Sequence, residues 1–317
     1  MQAEIHPATL VAKSSHAIPL DVLVVGGVGI DTIVKVPALP LPHQDSVHVP
    51  TIIDYVAHTG NGVALSCQAL GLTTRLLDFI GQDAQAELIL ARYRKTGLDF
   101  SYLLEASGTR RSVNLVDASG RRLSLYDGRH PPELRMPREF YLPWLQQARH
   151  VHVSIMDWAR HLFDDIATCG LSSSTDLHDW DGHNPYHRDF ALRADLVFLS
   201  AANLGTRFRQ VMREILQHGQ ARMVVVMAGE QGSHGLQRGE NELIEMPCAP
   251  PARAVIDSNG AGDSYVSAFL HGYLQGASLR DCMRQGALAG AFAVTCEGTH
   301  EQFLTAAQLT SAMHSRE

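Results

Sequence analysis

The sequence predicts an α/β fold: a mostly parallel central sheet flanked by helices, with a small second β-sheet standing off it. Three observations carry this prediction. Short apolar runs alternate with helical periodicity along most of the chain. The first run is apolar at successive positions, the mark of a strand buried on both faces. Two stretches break the rhythm with strands joined by turns and no helix between them.

The elements follow in order. Val22–Val28 is a continuous apolar run closed by glycines. Val63–Leu70 has a helical pattern, Thr74–Ile80 is strand-like, and Ala84–Lys95 is a helix stopped by Gly97. Arg149–Ile155 and Asp195–Leu199 read as strands, Arg207–His218 as a helix and Arg222–Met227 as another apolar strand. The interruptions are Thr32–His58 and Arg111–Asp127. In the second, Arg111–Asp117 and Arg121–Asp127 flank Ala118-Ser119-Gly120, a hairpin signal. A lid over the crevice at the C-terminal ends of the parallel strands is the natural place for these pieces, because open α/β sheets bind ligands there.

Composition narrows the function classes. The chain has 317 residues, is 45% hydrophobic and carries a net charge of −7, with Lys and Arg scattered singly. No basic stripe is present to neutralise the phosphates of a duplex, so nucleic acid is not an expected partner. Cys67, Cys169, Cys248, Cys282 and Cys296 lie far apart without a CxxC, as expected of reduced thiols in a cytoplasmic protein. No apolar stretch approaches a signal peptide or a membrane span. Residues 1–19 read as an extension, and residues 20–317 as one domain with lid segments at about 32–58 and 108–128.

The chemistry concentrates in one segment. Ala254-Val255-Ile256 reads as a short strand, followed by Asp257-Ser258-Asn259-Gly260-Ala261-Gly262-Asp263. A helix then begins, with Val266, Phe269, Leu270, Tyr273 and Leu274 on one face and Gly276 closing it. Gly260, Ala261 and Gly262 therefore sit at a helix N-terminus. Unpaired amides there and about half a positive charge from the dipole favour an anion. Asp263, in the first turn beside that cradle, is placed to accept the proton of a hydroxyl attacking phosphorus. A plain helix cap is the alternative reading of the carboxylate.

Asp257–Asp263 resembles the C-terminal signature of the ribokinase-like (PfkB) carbohydrate kinase family, with Ser258 where Thr is usual. Further likenesses appear in order from about Asp21 to Thr299. Gly26–Asp31 resembles the first strand-turn of the family, Thr59-Gly60-Asn61-Gly62 the N-terminal Gly-Gly signature, and Val224–Gly232 the strand and Gly-x-x-Gly turn near the nucleotide. The resemblance implies a β-lidded kinase that uses ATP and Mg²⁺ on a small sugar-like substrate, acting as a homodimer paired through its lids. It implies that Asp31, Gly60, Asn61 and Asp257 face the substrate, and that Gly229, Gly232, Asn259, Ser200 and Asn203 face the nucleotide. No protein residue is assigned to a metal.

Three positions depart from the family pattern. Thr59 replaces a glycine. Ser200-Ala201-Ala202-Asn203 lacks the Glu of the usual Asn-x-x-Glu, whose carboxylate helps organise Mg²⁺ and its waters. Met227 stands where Thr is common. Two further residues are candidates for the substrate side. Asp176 ends a weak strand and is placed to line the mouth of the site. Arg110 opens a lid strand with Arg111, within reach of an anionic group unless the pair faces solvent. The polar stretch holding His178, Asp179, Asp181, His183 and His187 reads as a solvated loop, its spacing matching no metal motif. Trp158 and Trp180 read as packing residues. The acceptor stays open between sugars and nucleosides. A binding or regulatory homologue with weak chemistry is the other class. A Rossmann dehydrogenase is disfavoured, because Gly26-Gly27-Val28-Gly29 lacks the full glycine spacing.

Overall fold

The computed structural model describes residues 19–41 and 43–314, so the N-terminal extension read from the sequence lies outside it apart from Pro19. The strands and helices run β1 (Leu20–Val25), β2 (Gly29–Val36), β3 (Ile53–Ala57), α1 (Thr59–Ala69), β4 (Thr74–Ile80), α2 (Ala84–Thr96), β5 (Asp99–Leu104), β6 (Arg111–Asp117), β7 (Arg122–Asp127) and α3 (Arg138–Leu145). They continue β8 (Ala148–Val153), α4 (Phe163–Thr168), β9 (Ser172–Asp176), α5 (Pro185–Arg193), β10 (Leu196–Ser200), α6 (Phe208–His218), β11 (Met223–Met227), β12 (Ser233–Gln237) and β13 (Ile244–Met246). Three helices close the chain: α7 (Ala261–Leu274), α8 (Leu279–Ala293) and α9 (Ala306–His314).

Nine strands form the central sheet in the order β13-β12-β11-β10-β9-β8-β1-β4-β5. The pairings from β5 through β11 are parallel, and β12 and β13 extend that edge antiparallel. Successive apolar residues are required because both faces are covered. Along β1, Leu23 and Val25 pack with Phe140 of α3, Phe163 of α4, Phe190 of α5 and Val211 of α6. Val22 and Val24 pack on the opposite face with Val63 of α1, Ile89 of α2, Val266 of α7 and Cys282 of α8. Trp158 and Trp180 are buried in the first layer, as read from the sequence.

β8 breaks the apolar rule on one face only. Val151 and Val153 join the first layer, while His150 and His152 are fully buried on the α7 side. His150 bridges Ser172 Oγ and Ser174 Oγ, each at 2.8 Å, and His152 Nδ1 lies 2.9 Å from Ser174 Oγ. Burial pushes these imidazoles down to about 3 and about 4, which keeps both rings neutral.

The second sheet has the order β3-β2-β6-β7. Asp117 closes the predicted hairpin, its Oδ1 accepting from the amides of Ser119 at 2.9 Å and Arg121 at 3.0 Å. Tyr55, Asp31, Ser112 and Tyr126 form one cross-strand row. Tyr55 turns that row toward the crevice, where it packs against Gly298 of the loop after α8. Leu123 and Leu125 lie exposed on the other face.

Arg110 does not reach into the crevice, which corrects one expectation. It is buried at the root of β6, ion-paired with Asp78 of β4, and donates to the Val28 carbonyl at 3.1 Å. Asp78 also accepts the amides of Val28 and Phe79, each at 2.7 Å. The pair anchors the lid to the main sheet. A second correction concerns Ala254–Ile256, which forms no strand. Val255 and Ile256 are more than 60% exposed, and the amides of Ile256 and Asp257 donate to the Val294 carbonyl at the end of α8.

Candidate active site

The N-termini of α1 and α7 meet at the C-terminal edge of the sheet. α1 docks on the end of β1: the Asn61 amide donates to the Gly27 carbonyl at 2.9 Å, and Ser154 Oγ donates to the Gly26 carbonyl at 2.9 Å. A Cβ on Gly60 would lie 1.8 Å from the Gly26 oxygen, so the glycine is required by backbone contact. Two residues later, a Cβ on Gly62 would fall 2.3 Å from His300 Nε2 and 2.8 Å from Asp263 Cβ. Gly60 thus lets α1 seat on the end of β1, and Gly62 lets its first turn come close enough to that of α7 to share one pocket.

At α7 the Asn259 amide donates to Asp257 Oδ1 at 2.9 Å, forming the turn that presents Gly260, whose φ is 74°. Ser264 N donates to the Gly260 carbonyl at 3.0 Å as the first helical bond, so the amides ahead of it have no helical acceptor. The Ala261 amide is taken by the Ser258 carbonyl at 3.3 Å. The open donors of the cradle are therefore Gly260, Gly262 and Asp263, a correction to the expected trio. A side chain on Gly262 would meet only Met227 Cε, 3.8 Å away, so the space over these amides is free for an anion. The donor set fits the phosphates of a nucleotide.

Asp263 is half-buried in this first turn, with a side-chain exposure of 14%. Its Oδ2 lies 2.7 Å from Nε2 of His300, which is itself buried. Asp176 ends β9, buried, with Oδ1 accepting the His178 amide at 2.9 Å. Burial raises its carboxyl against the field of His178, and the charge of Asp263 adds to the rise. His178 Nε2 in turn lies 3.1 Å from Thr59 Oγ1. The segment from Asp176 to His187 is thus part site wall and part exposed loop.

Asp31 faces the crevice from the lid. Its Oδ1 accepts from Ser112 Oγ at 2.5 Å and lies 3.2 Å from His58 Nε2. Burial alone would raise its carboxyl, but the hydrogen bonds from His58 and Ser112 and the charge of His58 outweigh it and hold the group below the usual range. An open groove of about 630 Å³ wraps β6 and β7, lined by Ser112, Ser124 and Tyr126 on the Asp31 face and by Arg111, Val113 and Leu125 on the other.

Asn61 departs from its expected role. It is fully buried, with Oδ1 accepting from Tyr93 Oη at 2.9 Å and Nδ2 directed at the Val56 carbonyl and His300 Nδ1, each at 3.0 Å. No atom is left to meet a substrate. On the nucleotide side, Gly229 has φ 57° and open space beside its Cα, whereas Gly232 is required by the Met246 carbonyl, 2.1 Å from where a Cβ would lie. Ser200 is half-buried at the end of β10. Asn203 is turned away, its Nδ2 donating to the Asp179 carbonyl at 2.6 Å. Asn259 is held by Arg122 Nη1 at 2.6 Å, which fastens the lid to the cradle turn. His58 and His300 escaped the sequence reading; neither belongs to a periodic pattern or a motif.

A lidded parallel sheet with a helix N-terminus and a carboxylate at its crevice is an arrangement suited to phosphoryl transfer. Residues 20–306 match the model of the pfkB family carbohydrate kinases, and the chain belongs to this family. It is an ATP-dependent carbohydrate kinase. It is 46% identical over 280 residues, 88% of the chain and 93% of the relative, to the acarbose 7(IV)-phosphotransferase of Actinoplanes sp.. It is 26% identical, over 88% of its length and 91% of the relative's, to a nucleoside kinase of Methanothermobacter thermautotrophicus. The solved structure of a microbiome-derived acarbose kinase superposes with a TM-score of 0.87 at 46% identity, covering 93% of this chain and 99% of that one. Arabidopsis thaliana ribokinase, complexed with ribose and ATP, superposes at 0.78 with 19% identity over 92% and 98%, a likeness of fold.

Proposed function

We propose that the chain transfers the γ-phosphoryl group of ATP to a hydroxyl of acarbose or a closely similar sugar, with Asp263 as the base. The observation that carries this reading is the pairing at α7, where a clasped, half-buried carboxylate stands beside three amides without helical acceptors. Acarbose is the acceptor named for both relatives at 46% identity.

In this mechanism Asp31, held ionised by His58 and Ser112, accepts hydrogen bonds from the sugar. The attacking hydroxyl gives its proton to Asp263 Oδ1 as its oxygen bonds to the γ-phosphorus and the bond to the ADP oxygen breaks. The amides of Gly260, Gly262 and Asp263 take up charge on the transferring group; one such donor is worth about 2.7–4 kcal/mol where it has been removed by mutation. Mg²⁺ bound through the ATP phosphates would neutralise their charge. A homodimer paired through the lids completes the reading, supported by the exposed Leu123 and Leu125 on the outer lid face.

ADP release measured with acarbose, simple hexoses, ribose and nucleosides, with and without Mg²⁺, tests the assignment. Turnover is expected with acarbose and only with Mg²⁺. Preference for a nucleoside would move the chain to the nucleoside kinases, and silence across the panel despite tight ligand binding would make it a binding module. Asp263→Asn is expected to keep ATP binding and lose about 10²–10⁴ in kcat; full activity in that variant would remove the base assignment.

A further inference from the structure

The network behind Asp263 fixes the protonation of a residue to which nothing so far gives a role. His300 sits at φ 60° after α8, its ring stacked on Phe303 with centroids 6.3 Å apart. Nε2 meets Asp263 Oδ2 at 2.7 Å, and Nδ1 meets Asn61 Nδ2 at 3.0 Å. The Asn61 amide has only one workable orientation. Its Nδ2 also lies 3.0 Å from the Val56 carbonyl, which can only accept, and its Oδ1 takes the Tyr93 hydroxyl at 2.9 Å. Nδ2 is a donor, so His300 Nδ1 must be bare. The single ring proton then sits on Nε2 and is donated to Asp263, a tautomer assigned from the network.

From this geometry we infer that His300 is a positioning residue for the base. A neutral imidazole, its tautomer set by Asn61, pins one carboxylate oxygen and leaves Oδ1 to receive the substrate proton. The inference rests on the reading of Asp263 as the base. His300 does not relay that proton, because Nε2 already carries one and Nδ1 is occupied by the Asn61 donor. The carboxylates toward the ring are Asp263 of α7, in direct contact, and Asp31 of β2. From α2, Arg92 grips the His300 backbone carbonyl at 2.8 Å and pairs with Glu301, away from the ring. The Asn61 amide, oriented by Tyr93 and Val56, is the group that denies the second proton.

The test compares His300→Gln with His300→Leu. Glutamine can donate to Asp263 and accept from Asn61, whereas leucine can do neither. His300→Leu is expected to lose on the order of 10²-fold in kcat, the scale set by about 1 Å of misplacement. Its sugar KM should stay within about threefold, as expected when the loss is confined to the transition state. The acid limb of its pH–kcat profile should move upward, since a buried carboxylate that loses a donor becomes harder to ionise. His300→Gln should recover to within about tenfold of wild type and keep the wild-type limb, on the same donor argument. Wild-type kcat and profile in folded His300→Leu, or His300→Gln as slow as His300→Leu, would overturn the inference. Should the leucine variant fail to fold, ¹⁵N-histidine spectra of the intact protein still decide, with the His300 signals assigned by their loss in His300→Gln. A protonated Nε2 and bare Nδ1 through neutral pH are expected; an imidazolium or the opposite tautomer would refute the assignment. Those spectra do not depend on turnover, so an active Asp263→Asn would sink the base reading while leaving the clasp separately readable.

Discussion

Replacing Arg110 with Met removes the cation from a carboxylate that has no contact with solvent, since the side chains of Arg110 and Asp78 are 1% and 0% exposed. Two routes give the same magnitude. Breaking a buried pair on one side costs about 3–5 kcal/mol. Alternatively Asp78 protonates, and holding a carboxyl with an ordinary value of about 3.9 neutral at pH 7 costs about 4 kcal/mol at 1.36 kcal/mol per unit. The amides of Val28 and Phe79 continue to donate to Asp78, which places the loss toward the lower end. Urea unfolding midpoints measure it. The folded-state carboxyl of the variant is raised, so its lost stability returns as pH falls toward the unfolded value. The gap to wild type should therefore narrow by roughly 1.4 kcal/mol per unit of acidification. Adding Asp78→Asn should recover most of the loss. A variant within about 1 kcal/mol of wild type that shows a raised sugar KM would refute this reasoning and return Arg110 to the substrate.

Two further outcomes are expected. Gly62→Ala should gain up to about 1 kcal/mol of helix propensity, yet its methyl lies 2.3 Å from His300 Nε2 and 2.8 Å from Asp263 Cβ. A melt near wild type with kcat down by on the order of 10²-fold is predicted, and unchanged turnover would contradict it. His150 and His152 are pushed down to about 3 and about 4 by burial, so the unfolded chain takes up protons first as pH falls below about 6.5. Between pH 7.5 and 5 each should cost about 2 kcal/mol, and a flat urea-midpoint profile over that range would disprove this.

Much of the architecture was legible because it is written in local periodicity. The apolar runs of β1, β4, β10 and β11, the Asp117 hairpin and the start of α7 each follow from neighbouring residues. Readings failed where the deciding partner was distant in sequence. Arg110 looked like a lid arginine, and only its placement against Asp78 buries it. Ala254–Ile256 was apolar enough for a strand, but pairing needs a sheet edge and the chain gives it only the end of α8. His300 is brought to Asp263 by the return of α8, across 37 residues without a repeating signal. Asn61 was found and given the wrong neighbour, because a buried amide and a substrate-facing one look alike in sequence.

The lid carries Asp31, whereas Asp263, its histidine clasp and the amide cradle all belong to α1, α7 and the loop after α8, fixed to the main sheet. In the proposed mechanism, recognition and chemistry occupy separate mechanical parts joined at the Arg110 root and the Arg122–Asn259 fastening. Substitutions along β2, β3, β6 and β7 have room to change which molecule is admitted while the machinery that phosphorylates it stays as built. A single scaffold is thereby free to diversify its acceptors one strand at a time.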